Sequence, residues 1–198
     1  MAAVKSGKLT QPFNALPSWV SLREDILKWC QRYHENEDSF NRGLEEQLRG
    51  KFQEQKCGTY DDLQAILRWK FAEMPGRLKR ELNLLSTVSP DLAKDATHQA
   101  FALTDDSDRL RQLRRIRGVG IAVASVILSF YDPQNYGIID IHSWRELFGK
   151  EQKPFNESDF LRFTEAVRRL ARDHGLPARD VEKALFNKNR AQPREDVG

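Results

Sequence analysis

Nine residues from Arg109 to Arg117 carry five arginines and no acid, and they run directly into Gly118-Val119-Gly120. A helix that opens after the second glycine leaves its first amide groups unpaired, and no Cβ keeps a partner away from the turn. Free N–H groups at the positive end of a helix attract an anion. Flanking arginines add screened attraction to neighbouring phosphates, which fixes position on a duplex and reads no sequence. The same residues also suit a glycine cap between two packed helices with a solvated arginine face. Asp140, in Ile138-Ile139-Asp140-Ile141-His142, stands where a carboxylate caps a helix beginning at Ile141. Trp69 lies between Arg68 and Lys70, and an aromatic flanked by cations suits nucleic acid as well as a helix core. Lys70 reads as surface charge or as an unconventional amine nucleophile. His34, His98 and His174 lack the paired spacing of metal ligands, so no zinc site is expected.

Hairpin, connection and aspartate together resemble the HhH-GPD superfamily of DNA glycosylases. In that family a helix–hairpin–helix is followed by small apolar residues and then by an essential aspartate. Ile116-Arg117-Gly118-Val119-Gly120 matches the hairpin, with Arg117 where a proline is usual. Ile138 to His142 matches the aspartate segment, and Asp140-Ile141-His142-Ser143-Trp144 resembles the D-x-H-x-W of the oxoguanine-glycosylase branch. Outside this stretch only the helical character is shared.

The resemblance implies an all-α, two-lobed fold that flips a damaged or modified base out of double-stranded DNA and removes it. Asp140 would stabilise the oxocarbenium-like sugar and direct the attacking water. Arg114, Arg115, Arg117, Gly118, Val119 and Gly120 would grip the backbone, with His142 donating to a phosphate. The main-chain carbonyls of Arg114, Ile116 and Val119 correspond to positions that hold a monovalent cation in relatives. Trp69, Lys70, Trp29 and Trp144 are the candidates for the base pocket. Members that also cut the strand carry a lysine two residues after the second hairpin glycine. Here that residue is Ala122, and no lysine stands between Lys94 and Lys150. A monofunctional hydrolase without an iron–sulfur cluster is therefore expected. Two rivals stay open: a non-catalytic helix–hairpin–helix module and a helical interaction protein that binds no nucleic acid.

The elements that must hold these residues are helical, since apolar residues recur at three or four rather than two. Ile26, Trp29 and Tyr33 share a face with Leu22, with Ser18 or Ser21 as caps. Thr59 and Asp62 form a capping box for a helix carrying Leu63, Ile66, Leu67 and Phe71, closed by Pro75-Gly76. Further helices are predicted over Arg77–Leu85, Asp91–Leu103, the arginine stretch after Asp105, Ile121–Phe130, Ile141–Phe148, Glu157–His174 and Pro177–Asn187. Residues 59–150 would form a central lobe, with the hairpin over 109–130. The N-terminal helices of 1–58 would pack with those of 151–188, and 189–198 would be a flexible tail.

Composition bounds the partners loosely. The 198 residues hold 32 Lys plus Arg against 29 Asp plus Glu, a net charge of +3 that names no ligand. The longest nearly apolar run, Val119 to Leu128, is too short to span a bilayer. The opening MAAVKSGKLTQPF has no apolar signal stretch. Cys30 and Cys57 cannot build a four-thiolate cluster and read as reduced thiols. A monomer in the cytoplasm is expected, or in the nucleus of a eukaryote.

Overall fold

A computed structural model describes residues 17–149 and 154–192, with the side chains of residues 17–24 and of Phe40 outside it. The opening MAAVKSGKLTQPF, the Leu22 side chain and residues 193–198 of the expected tail thus lie outside the described residues. What is described is all-α: ten helices, with no strand among the described residues. No helix there is long and apolar enough to cross a membrane.

At least five of the ten described helices open on a side-chain cap, with Asp140 among the caps. Helix α3 (Tyr60–Lys70) opens on the reciprocal Thr59–Asp62 box, and α5 (Pro90–Ala102) on Ser89. Asp105 caps α6 (Asp106–Leu113), while Asn156 caps α9 (Glu157–His174). Each cap satisfies backbone donors that the helix leaves open. Gly149 closes α8 (Ile141–Phe148) at φ 67°, and Gly175 closes α9 at φ 65°.

Several boundaries depart from the sequence pattern. Ser18 and Ser21 lie inside α1 (Pro17–Asn36), so they are not its caps. Pro75 opens α4 (Pro75–Leu85) instead of closing α3. Proline favours a first helical turn and pushes the preceding Met74 out of helical geometry. Helix α2 (Ser39–Gln55) went unassigned by periodicity, since Gly43 and Gly50 dilute a pattern in which Leu44, Leu48 and Phe52 recur every four residues. Helix α10 (Ala178–Ala191) continues past Asn187, so Asn189 is a buried helical residue and not part of a tail.

One continuous apolar cluster runs through the chain. Helix α7 (Ile121–Tyr131) is its densest part, with nine of eleven residues buried. Helix α10 is the strut between α1 and α8. Helix α2 lies against α7. Ion pairs also fasten it to α10: Arg179 donates to both Glu45 oxygens at 3.1 and 3.0 Å, and Lys183 Nζ lies 3.5 Å from Glu45 Oε2 while donating at 2.9 Å to Glu37 Oε1, in the connection just before α2. Cys30 and Cys57 are buried and unpaired, and burial pushes the Cys30 thiol up to about 11.

Candidate nucleic-acid cleft

Three successive amides fix the strand-like segment that delivers Asp140. Ile138 N–H donates to Glu182 Oε2 at 3.2 Å, Ile139 N–H to Ser125 Oγ at 3.1 Å and Asp140 N–H to Ser143 Oγ at 3.3 Å. The residue before them is Gly137, where a Cβ would stand 2.7 Å from Glu182 Cβ. Only glycine lets the chain pass this close to α10.

Asp140 then caps α8, and its two oxygens have different surroundings. Oδ1 accepts the N–H groups of His142 and Ser143, both at 2.8 Å, and lies 3.0 Å from the Ser143 hydroxyl. Oδ2 accepts no hydrogen bond from any described residue. The side chain is half-buried and lines a cleft of about 2300 Å³. One oxygen anchors the carboxylate and the other keeps its acceptor capacity.

The α6–α7 hairpin forms another part of the same cleft. Val119 N–H closes the turn on Ile116 C=O at 3.0 Å, leaving that carbonyl a second lone pair. Gly118 takes φ 91°, and a Cβ there would meet Glu81 C=O of α4 at 2.8 Å. Gly120 precedes α7 without any side-chain cap, so the helix presents bare amides. Arg114 and Arg117 are exposed and line the cleft, and their side chains make no hydrogen bond or ion pair to a described residue. Arg115 instead turns to α5 and α6, donating to Gln99 and Gln112 at 3.1 and 2.9 Å, and it does not line the cleft.

The aromatic candidates separate. Trp69 is half-buried in the cleft lining, edge-on to Phe130 with ring centroids 5.4 Å apart. Trp144 leaves the pocket set, since it is 1% exposed and packs in the core against Phe148 and Phe155. Trp29 stays on α1 under the Arg32 guanidinium, 4.9 Å from the ring, and is not part of the cleft wall. His142 is in the wall, held edge-on against Phe186 and 3.0 Å from Asn189 Oδ1.

Lys70, the last residue of α3, enters the cleft within electrostatic reach of Asp140 and Glu182. Burial holds its ammonium below the ordinary lysine range, although both carboxylates oppose that effect. Burial also pushes the Glu182 carboxyl up, with Asp140 adding to the rise and Arg179 opposing it. Arg179 donates to Glu182 as well as to Glu45, so one buried guanidinium ties α2, α10 and the Asp140 segment together. Sequence reading passed over Glu182, Arg179, Ser125 and Asn189. Their types are ordinary for helix surfaces, and only packing reveals them. Cys30, read in the sequence as a reduced thiol, and His34, set aside there for want of ligand spacing, bring donor atoms within 4.8 Å of one another and of Asp180, which the sequence did not single out. Cys30 and His34 are an i,i+4 pair facing α10, and His34 Nε2 is 3.5 Å from Asp180 Oδ1.

No family model, curated protein or solved structure matches the chain.

Proposed function

We propose that the protein is a monomeric DNA glycosylase of the HhH-GPD kind, built as two helical lobes around the cleft, which hydrolyses a damaged or modified base from duplex DNA. The observation that carries this reading is the unbonded Oδ2 of Asp140, held by a fixed cap in a cleft that also contains bare helix amides and unpaired arginines.

Phosphates meet the α7 amides and the Arg114 and Arg117 side chains, which position the duplex without reading it. His142 donates to a phosphate beside the flipped nucleotide. A monovalent cation on the carbonyls of Arg114, Ile116 and Val119 would add positive charge beside that backbone. The target base leaves the stack at a cost of a few kcal/mol and stacks on Trp69. As the N-glycosidic bond lengthens, positive charge grows on the sugar, and Oδ2 stabilises it while orienting water toward C1′.

The test is a panel of duplexes carrying alkylated, oxidised, deaminated or glycosylated bases, scored for strand breaks after alkali. Release of at least one such base is expected. Duplex binding that yields no break across the panel would favour the non-catalytic module and contradict the glycosylase.

A further inference from the structure

We propose that Cys30, His34 and Asp180 bind a zinc ion that clamps α1 to α10, apart from the cleft and from the reaction assigned to it. Cys30 and His34 stand one turn apart on α1, and Asp180 lies in the first turn of α10. Spacing among histidines misses the site, since the partner of His34 is a cysteine. One donor atom from each residue lies within 4.8 Å of the other two. Around a tetrahedral zinc, neighbouring sulfur, nitrogen and oxygen ligands stand about 3.3–3.6 Å apart. His34 Nε2 and Asp180 Oδ1 are already at 3.5 Å, which fits an edge of that tetrahedron and exceeds a well-formed hydrogen bond. The remaining separations close by roughly 1 Å at most, within reach of side-chain rotation.

The surroundings suit a metal. Cys30 Sγ is buried and makes no hydrogen bond to a described residue. Behind the imidazole, Nδ1 faces Glu37 Oε2 at 3.7 Å, and Glu37 is itself held by Lys183 at 2.9 Å and by Arg42 at 3.3 Å. A carboxylate in that place orients the ring and makes Nε2 a better ligand. On binding, the Cys30 thiol gives its proton to solvent and the thiolate bonds the metal. Thiolate and carboxylate then cancel the charge of a divalent ion, so the closed site is neutral where α1 meets α10. Thiolate with imidazole favours zinc over magnesium or calcium. His34 and Asp180 also line a pocket of about 600 Å³, which shares only Glu37 and Arg179 with the cleft. A fourth position, for water, would face that pocket.

Metal titration tests the site without any DNA. Tag-free full chain, reduced and stripped with a chelator, is titrated with zinc and, in parallel, with cobalt as a probe of thiolate coordination. One zinc per chain, a near-ultraviolet sulfur-to-cobalt charge-transfer band and a raised melting temperature are expected. Cys30→Ser and His34→Gln should each weaken zinc at least about 100-fold and lose the melting shift, with helical circular dichroism intact. His34 is partly exposed, so His34→Gln reads the site even where Cys30→Ser disturbs packing. Zinc affinity that survives in either variant overturns the proposal, as does cobalt binding without the charge-transfer band. Folded wild-type protein that binds no zinc overturns it too. Base release is scored in a separate assay, so the glycosylase reading and the zinc site can fail independently.

Discussion

On the proposed reading Asp140 does two jobs with one carboxylate, capping α8 and facing the sugar, and substitution can separate them. Asparagine caps a helix about as well as aspartate because its side-chain oxygen accepts the same N–H groups. Asp140→Asn should therefore keep the wild-type melting temperature. Asp140→Ala loses the acceptor for the His142 and Ser143 amides and should cost about 1 kcal/mol. Thermal melts of both variants check this. A large loss in the asparagine variant would mean that the negative charge itself holds the loop, leaving less reason to assign it to the sugar.

At the scale of elements, the cleft depends on two close approaches. Gly118 sets the hairpin against α4, and Gly137 sets the Asp140 segment against α10. In Gly137→Ala the new Cβ must displace the buried Glu182, and Ile138 N–H then loses its acceptor. Overpacking of this kind costs roughly 1–3 kcal/mol. Base release should fall while duplex binding through the hairpin persists, as read by parallel binding and single-turnover assays. Unchanged base release would show that Asp140 needs no such support. The local signals for these elements were legible in sequence: Thr59–Asp62, Ser89, Asp105, Asp140 and Gly149 act at short range, so residue type and spacing suffice. Long-range partners were not. Glu182 approaches Ile138 across 44 residues, and Asn189 approaches His142 across 47. Trp144 shows the same limit, because helical spacing alone does not say whether its face meets the core or the cleft.

Across the molecule, a buried ion cluster joins the supporting helices to the site. Arg179, Lys183, Glu37, Glu45 and Glu182 are nearly sealed from solvent. Burial alone would raise the Glu45 carboxyl, but Arg179 outweighs it and holds the group below the usual carboxylate range. A depressed carboxylate contributes stability above its unfolded pKa, and that contribution is lost as pH falls through the folded value. Arg179→Met strands Glu45 and Glu182 without their guanidinium and should cost about 3–5 kcal/mol near neutrality. The gap to wild type should narrow toward acid, where the stranded carboxyls take up protons. Urea unfolding over that pH range checks the trend, and a pH-independent gap would contradict it.

The most direct measurement is single-turnover base release by Asp140→Asn on the base that wild-type protein removes, at saturating protein. The account predicts a loss of at least about 100-fold in rate with duplex affinity nearly unchanged. Release at the wild-type rate would contradict it, because the one oxygen the fold leaves unbonded would then have no part in breaking the glycosidic bond.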